Sequence, residues 1–182
     1  IQGVKVSNDI WDTDPWLIGT PEGVIDLRNG QEISPNKRFY ITKSTLVHPD
    51  FDAEPTRWLQ FLDESTKGDQ DLIEYLQCNI GYTLTGLTIQ QDIRFIYGSG
   101  GNGKSKFINV ISELMNDYKQ VAPMTTFMDS KNQQHPTELA KLKGARLVVA
   151  SETESNRSWA ESKLKSLTGG DAISARYMRQ DF

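Results

Sequence analysis

Eight residues constrain this chain more than any others: Gly98-Ser99-Gly100-Gly101-Asn102-Gly103-Lys104-Ser105. They satisfy the phosphate-loop pattern G-x-x-x-x-G-K-[ST] at every fixed position. Four residues between the outer glycines let the backbone curl until successive N–H groups point inward at phosphate oxygens. Gly98 and Gly103 can adopt the positive φ that a Cβ disfavours. Lys104 then reaches the β- and γ-phosphates, and the Ser105 hydroxyl is placed to ligate Mg²⁺. A helix starting here adds its positive N-terminal end to the same anion site. Both flanks agree with this context. Ile93–Tyr97 reads as a short strand entering the loop, and Phe107, Val110, Ile111 and Leu114 predict a helix with one buried stripe.

One rival pattern overlaps the first. Gly98-x-Gly100-x-x-Gly103 also satisfies the dinucleotide fingerprint G-x-G-x-x-G. That fingerprint expects an acidic residue about 20 positions on, and Asp129, after a possible strand at 120–127, comes a few residues late. Dinucleotide binding has no use for Lys104-Ser105, whereas a triphosphate needs both. The residues favour a nucleoside triphosphate with Mg²⁺.

The 182 residues suffice for one large domain, or one domain with an appendage. The first residue is Ile1 rather than Met, which reads as a cut from a longer protein. A single cysteine, Cys78, forbids an internal disulfide and fits a reducing compartment. No signal peptide opens the chain and no apolar run is long enough to span a bilayer. A soluble, cytoplasmic location is expected, with no membrane partner. Net charge is −4, but residues 1–140 balance at −7 and residues 141–179 at +4. A basic stretch in an acidic chain suggests a local anionic partner, although an ordinary solvated face gives the same count.

Residues 1–50 read as a β-rich appendage: Trp16–Ile18 and Val24–Leu27 pair across a Gly/Pro turn, Asn29-Gly30 turns the chain toward Glu32-Ile33, and 39–47 is a last extended piece. Residues 51–90 read as a helical module. Pro55 opens a helix with Trp58, Leu59, Phe61 and Leu62, and Asp69 caps a second with Leu72, Ile73, Leu76 and Ile80. Cys78 sits in this second helix and is expected to pack. Residues 91–182 form the phosphate-loop core. Strands are expected at 120–127 and 147–150, helices at 137–143 and after the capping box Ser158-x-x-Glu161, and a hairpin strand at 173–177. Alternation of strands and helices predicts an α/β fold with a largely parallel sheet.

Hydrolysis also needs an acid that holds the metal or orients water. Glu152 and Glu154 follow the apolar run Leu147–Ala150, and an i, i+2 spacing puts them on one face if the strand continues. Glu152 is the candidate Mg²⁺-linked or water-activating carboxylate, with Glu154 in support. His48 and His135 are isolated, and no paired-Cys or HExxH spacing occurs, which disfavours zinc or thiol chemistry.

The loop Gly98–Ser105, the run 135–140 (HPTELA), the run 145–154 (ARLVVASETE) and the run 165–176 (KSLTGGDAISAR) together resemble the superfamily 3 helicase domain of phage, plasmid and poxvirus-type primase-helicases. Gly23–Leu27 and Trp58–Leu62 resemble the region preceding the helicase core in that group, so the resemblance covers roughly residues 16–177. It implies an AAA+-like core, a homo-oligomeric and usually hexameric ring, ATP-driven movement on single-stranded DNA, and a neighbouring primase domain or other replication proteins. Lys104 and Ser105 match the phosphate and Mg²⁺ residues, and Glu152 the acidic motif. The segment 165–176 matches the motif leading into a DNA-contacting hairpin, which makes Lys163, Lys165 and Arg176 the DNA-binding candidates. Two departures stand out: Ser151 separates the acids from the apolar run, and the family's sensor strand and inter-subunit arginine would lie beyond Phe182. This segment by itself is therefore expected to hydrolyse ATP poorly. An ATP-gated DNA-binding or assembly module, or a phosphate-loop small-molecule kinase, remain the alternatives.

Overall fold

The structure is a computed structural model that describes residues 10–129, 139–150 and 158–169. It begins with a three-stranded antiparallel sheet, β1 (Leu17–Gly19), β2 (Val24–Asp26) and β3 (Gln31–Ile33), in that spatial order. The first hairpin closes where Thr20 N–H donates to Gly23 O at 2.8 Å. The second turns at Asn29-Gly30, with Gly30 at φ +71°, as that dipeptide favours. Ile18 pairs with Ile25, and both are buried. The extended piece expected over 39–47 is not a strand. A 3-10 turn at Lys37–Phe39 and a left-handed Tyr40 bend it, and Asp12 Oδ1 holds it by accepting from Thr42 N–H at 2.8 Å.

Helix α1 (Thr56–Thr66) follows Pro55, and α2 (Gln70–Thr85) begins where Asp69 Oδ1 accepts from Leu72 N–H at 3.0 Å. Ile73, Leu76 and Ile80 of α2 pack against the core, whereas Leu72 is exposed. Cys78, expected to pack, is exposed instead, on the helix face opposite that stripe.

Helix α3 (Lys104–Met115) starts at the phosphate loop as expected. Its buried edge differs from the expected stripe: Phe107, Ile111 and Met115 are inside and Leu114 is exposed. An i, i+4, i+8 row is a narrow ridge, and here it enters the core shared with Ile18, Ile25, Leu62 and Tyr118. Trp58 of α1 stacks on Phe107 at 5.7 Å, and Leu62 joins Phe107 and Ile111 in the core.

Strands β4 (Lys119–Val121) and β5 (Leu147–Val149) are parallel, with Gln120 opposite Val148. β4 is shorter than the expected 120–127 because Pro123 lacks the N–H a ladder needs, and Met124–Phe127 then wind into a 3-10 turn. Ile93–Tyr97 is not a strand. A strand exists only with a ladder partner, and among the described residues none pairs with it; Tyr97 is 90% exposed. Helix α4 (Glu161–Thr168) has Ala160 at its N-cap with no side-chain cap bond, so the Ser158 capping box does not form. Trp159 bridges to Met128 and Asp129 N–H donates to Ser158 O, which keeps Ser158 extended and delays the helix. The expected 137–143 helix lies partly, and the 173–177 strand wholly, outside the described residues. The fold is mixed α/β, and among the described residues its parallel part is the β4–β5 pair. No helix among them is long and apolar enough to cross a membrane.

One side chain joins three of these pieces. Arg146, just before β5, donates to the carbonyls of Pro15 (3.3 Å), Leu84 (2.5 Å), Asp14 (3.2 Å) and Leu17 (2.7 Å). Its guanidinium lies 4.7 Å from the centroid of the buried Tyr118 ring. The Tyr118 hydroxyl accepts from Gly19 N–H at 2.8 Å and donates to Lys43 O at 3.1 Å. Burial lowers the Arg146 pKa and raises that of Tyr118 from their ordinary values, because it disfavours the charged form of each.

Candidate phosphate site

The eight-residue loop has the backbone its glycines foretold. Gly98 has φ +145° and Gly103 φ +84°, both in the region that L side chains rarely occupy. A Cβ on Gly100 or Gly101 would meet nothing within 4 Å, so the crown of the loop borders open space. Gly103 is the N-cap of α3, offers no capping side chain, and is followed by no acidic residue in the first turn. Helix α2, by contrast, closes its own first turn with the Asp69 carboxylate. The N-terminal end of α3 thus keeps its positive end for an outside anion.

Lys104 Nζ turns back over the loop and donates to Gly98 O (2.9 Å), Ser99 O (2.8 Å) and Asn102 Oδ1 (2.6 Å). An ammonium has three donors, and three loop oxygens take them. The charge is therefore held against the loop's own turn. Ser105 follows at the start of α3 and is exposed. The residues present fit a phosphate group: open space above two glycines, an uncapped helix start and a cation fixed over the turn.

Behind the loop stands α1. A Cβ placed on Gly103 would lie 2.5 Å from Ser65 Oγ and 3.1 Å from the Phe61 ring. Nothing in the sequence signalled this contact, because a phenylalanine and a serine on a helix and a loop glycine about forty residues away carry no shared pattern.

The remaining candidates stand apart from this geometry. Glu152, Glu154 and Arg176 lie outside the described residues. Lys163 donates to Thr126 O at 2.9 Å, which ties α4 to the turn after β4. Lys165 is highly exposed and lies 3.9 Å from Glu161, one helical turn earlier. No group of three or more His, Cys, Asp or Glu that could hold a metal occurs among the described residues. Asp129, the late dinucleotide candidate, has its N–H bonded to Ser158 O, far along the chain from the loop.

Two family models match the chain. Residues 2–67 match the family described as D5 N terminal like, and residues 96–182 match a family of unknown function (DUF5906). The first covers the stretch in which Gly23–Leu27 and Trp58–Leu62 carried the resemblance, and the second spans the phosphate loop and β5. A protein of Acanthamoeba polyphaga mimivirus named "putative helicase" is 27% identical over 176 residues, which is 93% of this chain and 18% of that protein. The chain thus spans less than a fifth of that relative and is similar to it along nearly its own whole length.

Proposed function

We propose that this chain supplies the nucleotide-binding part of an ATP-dependent, superfamily 3 DNA helicase that serves replication of a phage, plasmid or other mobile element. The observation that carries the reading is the Gly98–Ser105 loop, with Lys104 fixed above its turn and the start of α3 left uncapped. The match to the D5 N terminal like family and the likeness to a viral protein named as a helicase support the choice among phosphate-loop functions.

In this reading the loop N–H groups and Lys104 bind the β- and γ-phosphates of ATP. Ser105 and Glu152 would hold Mg²⁺, which offsets phosphate charge when bound. Glu152 or Glu154 orients water, whose oxygen bonds to the γ-phosphorus as the bond to the β-phosphate oxygen breaks, leaving ADP and phosphate. Turnover drives a homo-oligomeric, hexameric ring along single-stranded DNA, with Lys163, Lys165 and Arg176 following phosphates rather than bases. One observation favours a second reading, an ATP-gated DNA-binding or assembly module without unwinding. Lys163 is engaged with Thr126 O and Lys165 lies beside Glu161, so both basic side chains have partners within the protein.

ATP turnover measured with and without single-stranded DNA, on this chain and on a form extended past Phe182, tests the proposal. Stimulation by DNA in the extended form, followed by strand displacement, is expected. Stimulation without displacement would move the function to the assembly module, and turnover indifferent to DNA would overturn both.

A further inference from the structure

The N-terminal segment and the phosphate loop belong to two separately matched regions, residues 2–67 and 96–182. Among the contacts between these regions, one lies at the phosphate loop itself. Gly103 closes the loop in a left-handed conformation, and a methyl group there would collide with Ser65 Oγ at 2.5 Å and press on Phe61 at 3.1 and 3.3 Å. Ser65 and Phe61 are four residues apart and so share one face of α1. Trp58, one turn earlier, continues that face by stacking on Phe107, the fourth residue of α3. Helix α1 therefore backs both the last glycine of the loop and the first turn of the helix that the loop starts.

We infer that Ser65 and Phe61 are positioning residues of the nucleotide site, holding Gly103 and the start of α3 so that affinity for the triphosphate depends on α1. The inference rests on reading Gly98–Ser105 as a triphosphate site. Its physical basis is space. The backbone N–H groups of the loop can converge on an anion only while Gly103 keeps its left-handed φ, and a side chain larger than serine that points from position 65 as the Ser65 Oγ does presses on that glycine. Close-packed neighbours shift rather than compress. Coupling of this kind is reciprocal, so a ligand whose affinity depends on α1 must in turn change the surroundings of α1.

The test compares Mg·ATP affinity and melting temperature for the wild type, Ser65→Ala and Ser65→Leu. Ser65→Ala removes the Oγ that lies against Gly103 and is expected to weaken affinity, by less than Ser65→Leu does. Ser65→Leu is expected to lose at least about tenfold, roughly 1.4 kcal/mol, while circular dichroism stays native. A role confined to stability would lower the melting temperature of Ser65→Leu and leave affinity unchanged, and that result overturns the inference. Should Ser65→Leu not fold, tryptophan fluorescence decides the matter in the wild type. Mg·ATP is expected to change the emission, and Trp58→Phe to abolish that change; a response that survives Trp58→Phe, or none at all, overturns the inference. A wild-type chain that binds no Mg·ATP instead refutes the triphosphate reading itself, and this inference with it.

Discussion

Lys104→Ala is expected to lower Mg·ATP affinity at least about 30-fold, roughly 2 kcal/mol, the worth of one charge-assisted hydrogen bond. The same change should leave the fold intact. The three bonds of Lys104 are all to atoms of its own loop, at an exposed site, and alanine is well tolerated at the first position of a helix. Equilibrium titration and thermal melting of the variant measure the two effects separately. Lys104→Arg should not restore binding. A guanidinium is planar, with its donors in a rigid fork, whereas the three acceptors here converge on one compact ammonium. Equal loss of affinity and of stability in Lys104→Ala would mean that the lysine is a structural clip on the loop.

Arg146→Ala is expected to cost about 3 kcal/mol of stability, since several half-buried carbonyls lose their donor together. The carbonyls it serves come from the stretch before β1, from β1 and from the end of α2, and the tyrosine it stacks on leads into β4. Arg146→Lys should recover only part of the loss, because three donors on one nitrogen cannot span four separated oxygens. Urea denaturation of both variants gives the order: wild type, then lysine, then alanine. The exposed pair Arg28–Asp14, at 3.6 Å with side chains 50% and 39% exposed, is the internal comparison. Its removal should change stability by less than about 1 kcal/mol.

The contrast between those two arginines explains what could be read from the chain alone. Features set by neighbours in sequence were legible. Asp69 caps α2, Asn29-Gly30 turns a hairpin, and the glycines of the loop take the φ values that their pattern requires. Features set by distant partners were not. Ile93–Tyr97 has the composition of a strand, but composition does not supply the neighbour that makes a strand. Ser158-x-x-Glu161 has the spacing of a capping box, yet the bridge between Trp159 and Met128 decides where α4 begins. The buried edge of α3 was rotated from the expected one because the surrounding core, built from β1, β2, α1 and Tyr118, chooses which row is covered. Arg146 bonds to carbonyls 62 to 132 residues away, and no local pattern announces such a tie. At the site the same division holds: the loop was legible, and its backing by Phe61 and Ser65 was not.

The measurement that bears most directly on the central claim is an equilibrium titration of this chain with Mg·ATP, run beside Mg·AMP and NAD⁺. The account predicts saturable binding of one ATP per chain, weakened by removal of Mg²⁺, with AMP and NAD⁺ binding far less tightly because neither presents a γ-phosphate to Lys104. Binding of NAD⁺ as tight as that of ATP, or no saturable binding of ATP, would contradict it.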